Sequence, residues 1–140
     1  MWWLMVQDLV RTLSLDPALD YAEVRVGQSM SVPDRSTVEV SRGAAGPDDL
    51  FNPGSGVVLL NVDCWEHSES DEWGDGYAAL ARLERHVVAA LMDWQREYDP
   101  ADLDGADMVV DEVSVQPDLD AFRPSVGSRL AVRINWQRSM

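Results

Sequence analysis

Lysine is missing from this sequence: all eleven basic residues are arginine. Without an ε-amine the chain cannot form a Schiff base and cannot build the lysine-bearing phosphate loop. Cysteine is nearly missing too. A single thiol, Cys64, cannot close an intramolecular disulfide, so the fold owes nothing to an oxidising compartment and is expected to form in a cytoplasm. No run of residues approaches the roughly 20 apolar positions of a membrane span. The apolar opening from Met1 to Val6 has no basic start and gives way to Gln7 and Asp8, so neither leader nor anchor is expected there. Positive charge is scarce overall, and the net charge of -14 repels the phosphates of nucleic acid and anionic lipid. Neither is expected as a partner.

What is present suits one packed domain over residues 1–140. Hydrophobic residues make up 46% and there are six tryptophans, where a disordered chain would be poor in both. Trp2, Met5, Val6, Leu9, Val10 and Leu13 recur at helical spacing before the stop at Asp16-Pro17, which predicts an amphipathic first helix. Trp2 and Trp3 point in different directions on it, so only one can face a core. Short β-branched runs from Tyr21 to Val26 and Thr37 to Val40 read as strands. Ser41 to Gly56 is rich in breakers and aperiodic, which predicts a long flexible loop that could order on a partner.

Val57 to Glu66 is the clearest strand, with Val58, Leu60, Val62 and Cys64 on one face. An acidic turn leads to a long helix, with Asp75 as its expected cap and apolar residues from Tyr77 to Tyr98 at spacings of three and four; Asp99-Pro100 ends it. Met108 to Val115 is a further strand, where Asp111-Glu112 interrupts the alternation and predicts a bulge or an edge. In the last strand Leu130, Val132, Ile134 and Trp136 alternate with Arg129, Arg133, Asn135 and Gln137. The expected fold class is α+β: a mixed, mainly antiparallel sheet of about four to five strands with two helices packed on one face.

Catalytic arrangements can be drawn, but none has a diagnostic spacing. Asp63, Glu66, His67, Glu69, Asp71, Glu72 and Asp75 offer ligands to a hard cation, yet lack both the glycine turn of a calcium loop and a helical pair of histidines. Cys64 could use His67 or His86 as a base, but its place on the apolar strand face favours a buried structural thiol. His86, beside Arg82 and Arg85, reads as a surface residue. Seventeen aspartates make any carboxylate pair uninformative. No catalytic, cofactor or metal residue is assigned, and the chain is expected not to be an enzyme.

Charge is unevenly distributed. Asp99, Asp102, Asp104, Asp107, Asp111, Glu112, Asp118 and Asp120 follow one another without a base, and then Arg123, Arg129, Arg133 and Arg138 follow without an acid. Most such runs are solvated faces; the alternative is complementarity between subunits. Trp73 stands in the charged turn with no apolar neighbour in sequence, as an interface residue could. The expected assembly interface therefore comprises Arg129, Arg133, Trp2, Trp3 and Trp73.

In its order of elements the chain resembles the tail-terminator proteins of long-tailed phages, the minor tail or tail-completion family. The likeness lies in the amphipathic first helix, the strand VVLLNVDCWEHS running through an acidic turn into GYAALARLERHVVAALMDW, the strand DMVVDEVSVQP and the closing strand SRLAVRINWQ. It implies a structural virion protein, assembled in the host cytoplasm, that forms a ring of commonly six copies. Such a ring caps the tail tube at the head-proximal end, stops its polymerisation and meets the head-tail connector proteins. The loop from Ser41 to Gly56 matches no family pattern. Another connector or neck protein is the alternative, followed by a small metal-dependent hydrolase and a tryptophan-lined binding module.

Overall fold

In a computed structural model of the chain, the described residues are 1–27, 33–44, 54–68, 73–117 and 125–138. Their element order is helix α1 (Trp2–Leu15), strands β1 (Glu23–Val26), β2 (Thr37–Arg42) and β3 (Ser55–His67), helix α2 (Trp73–Glu97), then strands β4 (Ala106–Gln116) and β5 (Ser125–Arg138). The five strands form one sheet in the order β1-β2-β3-β5-β4. Only β1 and β2 run parallel; the other neighbours are antiparallel. This is the α+β architecture the patterning predicts.

Both helices contribute to one core on one side of the sheet. α1 buries Met5, Val6, Leu9 and Leu13, and α2 buries Leu80, Leu83, Val87, Leu91 and Trp94, the positions that helical periodicity brings to a single stripe. They meet Val38, Val40, Val58, Leu60, Val62, Cys64, Leu130, Val132 and Ile134, which alternation places on the same sheet face. Truncating one of these fully buried side chains to alanine costs about 2–5 kcal/mol. Asp8 lies among them. Its carboxylate accepts from Trp94 Nε1 at 2.8 Å and pairs with Arg11, tying α1 to α2 through a buried polar contact.

The two Asp-Pro breaks do more than stop helices. Asp16 accepts from the Ala18 backbone N–H at 2.9 Å and caps a 3-10 turn over Pro17–Leu19; Asp99 accepts from Ala101 at 3.0 Å and caps another over Pro100–Leu103. The second turn exits through Asp104 and Gly105, both left-handed (φ 56 and 79), and so delivers the chain into β4.

The expected boundaries shift in places. The long loop is shorter than its composition suggests, because Ser41 and Arg42 pair with Asn61 and Leu60, and Ser55 and Gly56 pair with Gln137 and Trp136. Cross-strand pairing overrides weak strand propensity there. Residues 45–53, the centre of the expected loop, lie outside the described residues. α2 begins two residues before Asp75, which sits in its first turn instead of capping it.

Candidate functional site: the second face of the sheet

The sheet face turned away from the helices divides into two halves. In the first, registered neighbours form a row of charge across four strands: Arg25 on β1, Glu39 on β2, Asp63 on β3 and Arg129 on β5. Arg129 grips Asp63 with both fork nitrogens, Nε to Oδ1 at 2.8 Å and Nη2 to Oδ2 at 3.1 Å, while Arg25 Nε lies 3.3 Å from Glu39 Oε2. The Asp63 side chain is 4% exposed and that of Glu39 3%. Adjacent buried carboxylates repel, so each depends on its own guanidinium. Two residues further along the strands, Trp65 lies across Gly127. A Cβ at that glycine would fall 2.5 Å from the indole, so the strand needs glycine for the ring to lie flat.

The second half is open and shallow. Gly43, Leu59, Asn61, Ala131, Ser114 and Arg133 line a depression of about 330 Å³, and Val109 is an exposed apolar residue on the same face. Arg133 Nε lies 3.4 Å from Asp111 Oδ2 with both side chains about half exposed (48% and 46%). Arg138 likewise meets Asp104 at 2.8 Å. The sign change along the sequence thus has a local use: the acidic stretch contains β4, the basic stretch contains β5, and the two are antiparallel neighbours. Arg123 lies outside the described residues.

Three of the expected interface residues are placed differently from that expectation. Arg129 does not project freely from a polar face; it is committed to Asp63, because the buried carboxylate on the neighbouring strand requires it. Trp2 and Trp3 belong to the helical side, so the structure does not bring them together with the arginines. Trp2 is half-buried under the Arg42 guanidinium, 4.7 Å from its ring centre, and Trp3, 46% exposed, meets Trp2 edge-on at 5.8 Å. Trp73 opens α2; its side chain lies outside the described residues.

The catalytic arrangements drawn from sequence separate in space. Strand alternation puts Asp63 and His67 on one face of β3 and Glu66 on the other, and Asp63 is occupied by Arg129. Glu69, Asp71 and Glu72 lie outside the described residues, among which no group of three His, Cys, Asp or Glu could hold a metal ion. Cys64 is fully buried, and burial, then the charges of Glu84, Asp63 and Glu66, pushes its thiol well above the ordinary range. His86 is no plain surface residue. Its Nδ1 lies 3.1 Å from Tyr21 Oη, and Arg82 lies over the Tyr21 ring at 4.8 Å. Nearby, Ser36 donates to the buried Glu66 at 2.7 Å, and burial raises both Glu66 and Tyr21 above their usual values.

Alternation reveals the second-face row only in retrospect. Glu39 and Asp63 sit at outward positions of strands that otherwise read as polar-out, and nothing local says that they are buried. Compared with protein-family models and with curated proteins, the sequence matches none.

Proposed function

We propose that this chain is a structural subunit of a phage tail, a terminator-like protein that assembles into a ring, caps the tail tube and offers a surface to the head. The observation that carries this reading is the half of the second sheet face that none of the described residues covers: shallow, mainly apolar, and rimmed by Arg133, Asp111 and Glu112. Such a surface suits a broad protein contact better than an enclosed small-molecule site. The order of elements supports the same reading. In a head-to-tail ring each subunit presents two different patches, and the exposed Arg133 and the acids of β4 supply charge for both.

Electron microscopy of the purified protein at high concentration, alone and mixed with tail tubes, tests the proposal. Rings of uniform size that sit on tube ends support it. Binding to capsid portals without binding to tubes would favour a connector instead, and neither ring nor end-binding would overturn it. Arg133→Glu and raised salt should each weaken ring association, because the contribution is electrostatic.

A further inference from the structure

The outer edge of β4 is closed along one part and open along the next. Met108 donates its outward backbone N–H to Tyr98 Oη at 3.0 Å, and Val110 donates to Gln95 Oε1 at 2.7 Å, so one side chain from the last turn of α2 and one just past its end seal the first half of this edge. A register shift between Val110 and Glu112 then inserts Asp111 as an extra residue. Beyond it, alternation turns the N–H groups of Val113 and Val115 outward. Among the described residues nothing bonds them. Val115 is 52% exposed, and Pro117, which has no N–H to offer, bounds the stretch.

We infer that the open edge from Glu112 to Gln116 pairs with the same edge of a second copy, antiparallel about a two-fold axis at Ser114. The stretch is self-complementary in this register. Val113 faces the partner's Val115 and Val115 faces the partner's Val113, and these are the residues whose outward N–H and C=O groups are free to exchange hydrogen bonds. The side chains agree as well: valine meets valine on one face, while on the other Glu112 meets glutamine and Ser114 meets serine. No like charges stand opposite each other, although β4 lies in the most acidic part of the chain. A relative slide of four residues in one direction would centre the pairing on Glu112 and set two carboxylates face to face. The five-stranded sheet becomes one continuous sheet across the two-fold. This contact is closed and isologous, so it differs in kind from the head-to-tail contacts of a ring; Glu112 and Ser114 border both surfaces, and the edge pairing is argued from the β4 backbone whether or not the ring forms.

Cross-linking tests the register. In a non-hydrogen-bonded antiparallel pair the two Cα atoms lie about 4.5 Å apart, within the range of a disulfide. Ser114→Cys in the whole chain should therefore give a covalent dimer with oxidised glutathione, two protein thiols becoming one disulfide as the oxidant is reduced to two thiols. Gln116→Cys should not, because its own counterpart lies roughly 13 Å away along the partner strand. Cys64, being buried, does not compete. Wild-type chains should sediment as dimers that tighten with salt, since salt screens the repulsion between two chains of charge -14, and Ser114→Glu should lose the dimer. Equal cross-linking of the two cysteine variants, no cross-linking of Ser114→Cys, or a wild type monomeric at high concentration and high salt would overturn the inference. The salt response also separates it from the ring, which should loosen as salt rises.

Discussion

Removing the Arg129 guanidinium should damage the fold itself, and the structure indicates by how much. Its partner Asp63 is 4% exposed, lies beside the equally buried Glu39 on β2, and receives two hydrogen bonds from Arg129. Breaking a buried pair by deleting one partner costs about 3–5 kcal/mol, because the remaining charge stays buried and uncompensated. Arg129 is 24% exposed, so water can partly replace it, which favours the lower end. We therefore expect Arg129→Ala to lose about 3 kcal/mol, a fall of roughly 10 °C in thermal midpoint for a domain of this size. The matched control is Arg133→Ala. Its partner Asp111 is 46% exposed, and such a pair contributes less than about 1 kcal/mol. Urea denaturation followed by circular dichroism reads both, and Asp63→Asn combined with Arg129→Ala should recover part of the loss, because the orphaned charge is gone. If Arg129→Ala lies within about 1 kcal/mol of wild type, or Arg133→Ala is equally costly, the charge row does not hold the sheet as described.

Three further outcomes follow from the geometry. Gly127→Ala forces the Trp65 ring off its strand and should cost about 1–3 kcal/mol in urea denaturation, with a change in native tryptophan fluorescence. The buried Glu66 holds its proton more tightly in the folded chain than in the unfolded one, so its contribution is lost as pH rises above the ordinary glutamate range. Glu66→Gln should thus raise the thermal midpoint near neutral pH, with the gap closing on acidification; a gap that widens in acid would refute the sign. Cys64 should react with a thiol reagent only on the timescale of unfolding, and rapid reaction of the native protein would contradict its burial.

The elements were legible because periodicity reports which face of a helix or strand is apolar. Val58, Leu60, Val62 and Cys64 alternate without a break, and all are fully buried. The Asp111-Glu112 interruption marks both a bulge and an edge strand. What the sequence could not show is burial without hydrophobicity. Asp8 occupies the buried side of α1 because Trp94, distant in sequence, supplies an N–H, and Glu39 and Asp63 lie on a nominally polar face whose burial depends on neighbouring strands. The strand order has the same character. Charge of one sign and then the other reads in sequence as solvated faces or as complementarity between subunits, and neither reading shows that β4 and β5 are neighbours in one sheet.

The position of β5 bears on how the chain reaches this state. It lies between β3 and β4, and it pairs with β3 from Ser55↔Gln137 to His67↔Ser125, joining residues roughly 60 to 80 positions apart where local hairpins would join only a few. Closing so large a loop costs entropy before any pair forms, so folding should be slow for a chain this short, in the millisecond-to-second range. Until β5 inserts, β3 and β4 each present an unpaired edge to other unfinished chains. Its arrival is the step at which productive folding competes with aggregation.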